Sequence, residues 1–203
     1  MNTRTKLSLA AVTAISSFCA FAGPASAQAF YLQEQSARAA GRAFSGEAAD
    51  TGPSSLWWNP ASIAGIKGVQ ADISASLILP EGEIRNNGTV IARPGQAPGP
   101  VGGPPVATNP IQSGALPSGS IAVPIGDRLA VGLTLASPYS FTTDYDAGAW
   151  PRYSADRTRL RTYDIQPSIA FAVTPWLRIG AAANVERVEA TLTNALPNLS
   201  PAL

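Results

Sequence analysis

Large apolar residues alternate with small or polar residues from Val69 onward. In the run from Val69 to Leu79, all six odd positions are apolar and four of the five even positions are polar. Further runs with the same period of two lie at 120–125, 129–136, 162–173 and 177–186. A period of two places successive side chains on opposite faces of a strand. The pattern therefore predicts five strands, each with one apolar face and one face of small or polar residues.

The connections between these predicted strands alternate in length. Gly126-Asp127 and Thr174-Pro175 predict tight turns. Pro80 to Pro117, and Pro138 to about Leu160, are long loops. Short turns at one end and long loops at the other are typical of transmembrane antiparallel β-barrels of the outer membrane. A secreted β-sandwich is the alternative, but the few charges on the non-apolar faces favour the barrel.

The region before the first strand is rich in Ala and Gly and lacks this alternation. Glu34 to Phe44 suits a short helix that ends at Gly41 or Gly46. Further along, Asn59-Pro60 suits the N-cap and first position of a helix, and Gly65 suits the residue after its end. The spacing predicts a single capped helical turn, with an ordinary surface turn as the alternative.

The start of the chain has the pattern of an export signal. Two basic residues precede an apolar run from Leu7 to Ala22, and small residues follow it. This order predicts a secretory signal peptide over residues 1–27, cleaved between Ala27 and Gln28. The run of about 16 residues is short for the alternative, a transmembrane helix. We therefore expect export from the cytoplasm of a Gram-negative bacterium to its outer membrane.

Composition restricts the chemistry that the chain can perform. Its 203 residues include 14 Lys and Arg, 13 Asp and Glu, one Cys and no His, for a net charge of +1. Without His there is no imidazole base, no Ser-His triad and no His-ligated metal. A near-zero charge offers nucleic acid no electrostatic footprint. The sequence predicts a protein that is not an enzyme and uses no cofactor, metal or nucleic acid.

The second long loop carries two groups of charged residues. Asp144, Asp146 and Asp156 resemble paired carboxylates or a calcium loop, but the full ligand spacing with its closing Glu is missing. A solvated loop is the simpler interpretation. Arginines in the same region could attract carboxylates or lipopolysaccharide phosphates, with a solvated loop root as the simpler interpretation. These arginines are Arg152, Arg157, Arg159 and Arg161.

Three parts of the chain carry a family resemblance. They are Ala29 to Ser36 with Gly41 to Ala49, then Asn59-Pro60-Ala61, then Ile121 to Val185 with Pro138-Tyr139 and Thr143-Asp144-Tyr145. Together they resemble the outer-membrane long-chain fatty acid transporter family, called FadL-like, which includes aromatic-hydrocarbon channels. The resemblance implies an all-β fold, a 14-stranded barrel plugged by an N-terminal hatch. The hatch would occupy residues 28–68, and residues 69–203 would hold the first five barrel strands with two long external loops.

The resemblance also implies which residues act. Asn59, Pro60 and Ala61 would form the hatch motif. An opening in the barrel wall would lie at a kink in strand three, at Pro138, Tyr139 and Ser140, and Pro138 lacks the N–H that a ladder needs. An apolar groove among the external loops would first hold the ligand. Its residues would be Phe141, Tyr145, Trp150 and Tyr153.

Two positions depart from the family pattern. Ser140 stands where a glycine is expected at the kink, and Ala190 to Asn194 contains no Arg or Lys to hold a fatty-acid carboxylate. A neutral hydrophobic substrate is therefore an open alternative to a fatty acid. Passive uptake of a hydrophobic small molecule is the implied function. Outer-membrane lipid and lipopolysaccharide are the implied partners of a barrel that is monomeric at full length.

The number of predicted strands is small for a barrel. Single-chain barrels use at least about eight strands, and five cannot close. We therefore expect the N-terminal portion of a longer protein, or a truncated product that does not function alone. A structural or adhesive outer-membrane barrel without specific transport is the alternative function.

Overall fold

The computed structural model describes residues 31–45, 47 and 50–197. The predicted signal peptide and its cleavage site at Ala27 and Gln28 lie outside these residues. Within the described part, the helices are α1 (Ala37–Gly41) and the 3-10 helices η1 (Pro53–Ser55), η2 (Pro60–Ile63) and η3 (Trp150–Tyr153). None of the helices described is long and apolar enough to cross a membrane.

Eleven strands follow along the described part of the chain. They are β1 (Gln70–Ile78), β2 (Glu83–Arg85), β3 (Val90–Ile91), β4 (Gly99–Pro100), β5 (Val106–Thr108), β6 (Gly114–Ile125), β7 (Leu129–Ala136), β8 (Ser140–Asp144), β9 (Arg157–Ala172), β10 (Arg178–Ala182) and β11 (Val185–Thr193). The strands β2 with β5, and β3 with β4, form two small hairpin-like sheets inside the first long loop.

The other seven strands form one antiparallel sheet with five positions. β1 pairs with β6, β6 with β7, and both β7 and β8 pair with β9. β10 and β11 pair with the opposite edge of β9. We call the five positions wall strands one to five: β1, β6, β7 with β8, β9, and β10 with β11. Among the described residues the sheet stays open between wall strands one and five.

In this sheet the apolar face is exposed and the polar face is buried, which is the reverse of a soluble β-sandwich. The face turned away from the N-terminal residues, called the outer face, exposes its apolar side chains, and Ile73 is 90% exposed. The inner face buries polar side chains such as Thr134, Thr162 and Gln166. A sandwich would bury its apolar face between two sheets. Apolar outside and polar inside is the arrangement of a membrane barrel, which confirms the predicted all-β barrel wall.

Several strands are longer than the hydrophobic pattern predicted. Wall strand two begins at Gly114 rather than Ser120, and wall strand five continues to Thr193 rather than Glu186. The prediction that 138–160 is a loop was wrong in part, because it contains β8 and the first residues of β9. The added segments of wall strands three to five place Ser, Thr, Asp, Arg or Glu on the outer face, and that of wall strand two places Ala115, Pro117 and Gly119 there. Backbone pairing continues there while the apolar alternation has ended.

The N-terminal residues lie on the inner face of the wall. Ser36 caps α1 within the stretch predicted to be helical, since its hydroxyl accepts the Ala39 N–H over 3.3 Å. Leu56 and Ile63 are fully buried against small residues of the wall. The complete cluster is Leu56, Ile63, Ala64, Ala122, Ala130 and Ala170. We call residues 31–68 the N-terminal segment, of which 46, 48 and 49 are outside the described residues.

Candidate functional site

A gap interrupts the ladder between wall strands two and three. β6 and β7 stop pairing at Gly119 and Leu135, and pairing resumes only at the bridge between Ile111 and Thr143. Both contacts keep the same register, yet residues 113–118 have no partner in this ladder. At about 3.4 Å per residue, the opening is about 20 Å long. We call it the wall gap.

The kink in wall strand three has a local cause. The common register places Pro138 opposite Leu116, and Pro138 has no N–H to donate. Against β9, wall strand three also has one extra residue between Ala136 and Ser140, which is a β-bulge.

The side chain of Thr162 on β9 replaces the ladder bonds that the bulge removes. Its hydroxyl accepts the Tyr139 N–H over 2.9 Å and lies 2.9 Å from the Tyr139 carbonyl oxygen. The Ser137 hydroxyl donates to the Thr162 carbonyl over 2.7 Å. The kink is therefore held firmly against wall strand four while it stays apart from wall strand two.

The N-terminal segment covers the kink from the inside. Leu32 N–H donates to the Pro138 carbonyl over 2.8 Å. The buried Gln35 amide pairs with the backbone of Ser137, donating to its carbonyl and accepting its N–H, each over 3.2 Å. Ser118 on the other side of the wall gap donates its hydroxyl to the Gln35 carbonyl over 2.6 Å. The segment thus bonds to both edges of the gap.

Aromatic residues connect this contact to the centre of the N-terminal segment. Tyr31 forms an edge-to-face pair with Tyr139 at a ring separation of 5.8 Å. Trp57 Nε1 donates to the Tyr31 hydroxyl over 3.1 Å, and Gln166 Nε2 donates to the Trp57 carbonyl over 3.2 Å. The Tyr31–Trp57 bond thereby joins the start of the N-terminal segment to the turn at residues 56–65.

The predicted capped turn is present as η2. The Asn59 side-chain oxygen accepts the Ala61 N–H over 3.1 Å, and Pro60 occupies the first helical position. Gly65 follows the end of the turn with φ +76°, a left-handed conformation that favours glycine. The turn is not on the surface, because Ile63 and Ala64 are buried against the wall.

Two glycines of the wall lie directly against the N-terminal segment at this turn, and we call them the seat of the turn. A Cβ at Gly180 would lie 2.6 Å from the Pro60 carbonyl carbon, 2.9 Å from Ala61 Cα and closer still to Ala61 N. A Cβ at Gly132 would lie 2.7 Å from a methyl of Leu56. Only residues without a side chain allow the turn to come this close. The hatch motif predicted at Asn59, Pro60 and Ala61 therefore lies directly on the inner wall.

Ion pairs hold the N-terminal segment together. Arg42 Nη2 lies 2.5 Å from Glu47 Oε1 and 2.9 Å from Asp50 Oδ2. The Ser55 hydroxyl donates to the same two carboxylates, over 2.6 Å and 3.1 Å. Arg38 adds a longer contact of 3.4 Å to Asp50. The two carboxylates thus join α1 to η1.

The charge state of Asp50 depends on these partners. Burial acts to raise the pKa of its carboxyl. Hydrogen bonds from the Thr51 N–H, Arg42 and Ser55, with the nearby charge of Arg38, outweigh that effect and hold the pKa below its ordinary value. The carboxylate is ionised at neutral pH, as the network requires.

A cavity of about 1390 Å³ lies at the wall gap. Its lining includes Leu116, Ser118 and Thr162, which face inward, and Leu135 and Ile165, which face outward. Successive positions of one strand point to opposite faces of a sheet. The cavity is therefore lined from both faces of the wall. The predicted opening residues Pro138, Tyr139 and Ser140 lie along this part of wall strand three, and Ser140 belongs to the lining.

Of the four aromatic residues predicted for an external groove, one lines this cavity. Phe141 belongs to β8 and lines the cavity. Tyr145 follows β8, while Trp150 and Tyr153 belong to η3 in the loop above, and these three are not part of the cavity lining. The structure therefore places only Phe141 beside the wall gap.

Sequence reasoning missed four residues of the site. They are Gln35, Gly132, Thr162 and Gly180. Gly132, Thr162 and Gly180 fall on the inner positions of predicted strands, so the alternation contained a weak signal for their orientation. Their roles depend on contacts with the N-terminal segment, which is distant in sequence. No pattern of neighbouring residues indicates such long-range contacts.

Comparisons with known proteins agree with this geometry. Residues 18–203 match the model of the family described as outer membrane protein transport protein (OMPP1/FadL/TodX). Outer membrane protein P1 of Haemophilus influenzae is 28% identical over 168 residues, which are 80% of this chain and 37% of that protein. The chain thus spans well under half the length of this curated relative.

A solved structure has the same fold. The crystal structure of a Pseudomonas aeruginosa FadL homologue superposes with a TM-score of 0.64 at 24% identity. The match covers 80% of this chain and 38% of that one. At this identity the likeness establishes the arrangement of the wall and its inner segment.

Proposed function

This chain belongs to the outer membrane protein transport protein family (OMPP1/FadL/TodX), and on that premise we propose that it forms part of an outer-membrane channel for passive uptake of hydrophobic compounds. Long-chain fatty acids and aromatic hydrocarbons are the proposed ligand classes. Residues 28–68 would be the hatch that plugs the barrel, and residues 69–203 its first five strands. The observation that carries the proposal is the cavity at the wall gap, which is lined from both faces of the wall.

The N-terminal segment has the properties of a plug. It lies on the inner face and is held by backbone bonds at Pro138, by the amide of Gln35 and by the seat at Gly132 and Gly180. These contacts are specific, and Leu56 and Ile63 are the large members of an apolar cluster whose other residues are alanines, so the cluster buries a modest apolar area. Such a segment can shift without unfolding the wall, which is what a gate needs.

The wall gap offers a route of release. A ligand inside the barrel would reach the outer face between β6 and β8, where Leu135 and Ile165 present apolar side chains. Release into the membrane rather than into water suits a poorly soluble compound. Pro138, Tyr139 and Ser140 would then form the edge of the opening, and Phe141 the nearest aromatic contact for the ligand.

The charge of the interior bears on the substrate. Ala190 to Asn194 carries no basic side chain at the end of wall strand five. A fatty-acid carboxylate would find no partner there, so we propose that neutral hydrocarbons are taken up at least as well as fatty acids. The protein is proposed to work in the Gram-negative outer membrane, with lipopolysaccharide around a monomeric barrel.

A reversible crosslink tests whether the N-terminal segment controls passage. Tyr31 and Tyr139 are directly opposite in an antiparallel bridge, a geometry within reach of a disulfide. The sequence has one Cys, Cys19, which lies in the predicted signal peptide. We expect the variant Tyr31→Cys with Tyr139→Cys to take up radiolabelled toluene and oleate when reduced and to lose that uptake when oxidised.

The control crosslink joins two strands that are already paired. Asp72→Cys with Ser120→Cys links β1 to β6, on the edge of β6 opposite the wall gap, and should leave uptake unchanged in both redox states. Full uptake by the oxidised Tyr31–Tyr139 pair would refute gating by the N-terminal segment. Absence of hydrophobic uptake by the wild-type protein would instead favour a structural or adhesive barrel.

A further inference from the structure

The outer face of β9 changes character along its length. From one end, the exposed outward positions are apolar or aromatic, namely Phe171, Ile169, Pro167, Ile165 and Tyr163. Beyond Tyr163 the next three outward positions are Arg161, Arg159 and Arg157. The change is abrupt, and it occurs toward the end of the strand that joins the long loop.

The position of this change can be compared with the thickness of a membrane. Within β9, eight residues separate Tyr163 from Phe171, which at about 3.4 Å each and a strand tilt of about 40° span about 21 Å along the membrane normal. The apolar band of outer-membrane barrels is about 25 Å tall. Arg161 and Arg159 then lie about 5 and 10 Å beyond its edge, at the level of the lipid headgroups.

The structure separates these arginines from the other one in the loop. Arg152 donates to the carbonyls of Gly102 and Ala149, each over 2.8 Å, and its guanidinium lies 4.3 Å from the Tyr153 ring centre. These contacts give Arg152 a structural role in the loop. Arg152 is therefore not a member of the outer row, by which we mean the outward arginines Arg157, Arg159 and Arg161 of β9.

Arg159 and Arg161 are the least neutralised members of the row. Arg157 lies 3.7 Å from Asp144, whereas Arg159 and Arg161 form no ion pair with any residue in the described ranges. Directly opposite them on β8 are Thr142 and Ser140, whose hydroxyls lie on the same face. On the other side, β11 places Glu189 opposite Arg161 and Thr191 opposite Arg159, and Glu189 is already paired with Arg187 over 2.8 Å. Two forked cations with two hydroxyl donors form a surface suited to phosphate.

We propose that Arg159 and Arg161, with Thr142 and Ser140, bind the phosphate groups of lipopolysaccharide in the outer leaflet. The site rests on the proposed orientation of the wall in the outer membrane, and it extends that proposal by assigning residues to the lipid partner. Phosphorylated lipid would be held beside the outer mouth of the wall gap, since both arginines also line the cavity. The rival source of an anion at this place is the carboxylate of a ligand.

Binding of defined lipids tests the site. Protein purified from outer membranes would be titrated with bisphosphorylated lipid A, with lipid A lacking both phosphates, and with oleate. At about 1 kcal/mol per basic residue near a membrane surface, removing both charges should weaken binding of bisphosphorylated lipid A about thirty-fold. The variant is Arg159→Gln with Arg161→Gln, and migration of unboiled protein on a gel reports that the barrel is folded.

Two further variants serve as controls. Arg128→Gln removes one positive charge from the short turn at the opposite end of the wall and should leave lipid A affinity unchanged. Arg159→Lys with Arg161→Lys keeps both charges but loses the forked geometry, so its affinity should lie between those of the wild-type protein and the double Gln variant. Lipid A lacking phosphate should bind wild-type protein and the double Gln variant equally.

The outcomes separate the two anion sources and the transport function. Unchanged affinity of the double Gln variant for bisphosphorylated lipid A would overturn the proposal. If the double Gln variant lost affinity for oleate and not for lipid A, the proposal would also be overturned, because the arginines would then bind a ligand carboxylate. The titration does not depend on uptake, so a protein that bound lipid A as expected but transported nothing would refute the proposed function alone.

Discussion

The seat of the hatch motif can be tested by adding one methyl group to the wall. In Gly180→Ala the new Cβ would lie 2.6 Å from the Pro60 carbonyl carbon and 2.9 Å from Ala61 Cα. Ordinary carbon contacts are about 3.5–4.0 Å, so η2 or β10 must move by about 1 Å. Because the opposing atoms are backbone, no side-chain rotation relieves the contact.

The expected cost follows from measurements of overpacked cores, about 1–3 kcal/mol. The wall is a continuous ladder, whereas η2 is a single short turn with bonds to its own segment, such as that from the Ser62 hydroxyl to the Gly52 carbonyl over 3.0 Å, so the turn should move. The population with an undocked turn should therefore rise about five-fold to more than a hundred-fold. Amide hydrogen exchange of residues 52–66 measures this population directly.

A matched variant controls for the general effect of replacing a strand glycine by alanine. Gly114 also lies in a strand, and a Cβ there would meet no atom within 4 Å. Gly114→Ala should therefore leave exchange of residues 52–66 unchanged. Equal exchange in wild-type protein and Gly180→Ala, or an equal rise in both variants, would refute the argument that Gly180 is the seat.

Three other predictions concern the turn, the kink and the ion pairs. Asn59→Ala removes the acceptor for the Ala61 N–H at about 0.5–2 kcal/mol, and should reduce oleate uptake without preventing membrane insertion, whereas Asn59→Asp should retain uptake. Pro138→Thr restores an N–H opposite Leu116 and should slow lateral release, measured as the rate of uptake; an unchanged rate would count against an opening there. Asp50 has a lowered pKa, so its contribution to docking is present above the unfolded value of 3.8 and is lost as pH falls through its lower folded value. Exchange of residues 36–55 should rise over that acidic range in wild-type protein, and Asp50→Asn should lack this component.

Much of the wall could be predicted from the sequence by itself. A strand in a membrane wall has lipid on one side and the barrel interior on the other, so its side chains must alternate, as they do from Val69 to Leu79. The capped turn was equally predictable, because Asn59-Pro60 and Gly65 mark its beginning and its end within a few residues. Where a strand rises beyond the apolar band, as at Arg157 to Arg161, the outer positions turn polar and the signal ends before the strand does.

The candidate site depended on tertiary structure. The bulge at Pro138 became a gap in the wall only because Thr162 holds wall strand three to one neighbour and the N-terminal segment takes the place of the other. Gln35 bonds to Ser137 across about a hundred residues of sequence, and the seat at Gly180 depends on a turn more than a hundred residues earlier. Alternation and capping are set by each residue's own neighbours along the chain. The wall gap, the docked N-terminal segment and the seat of the turn form only when distant segments come into contact. The residues near each of them in sequence do not indicate which distant segment that will be.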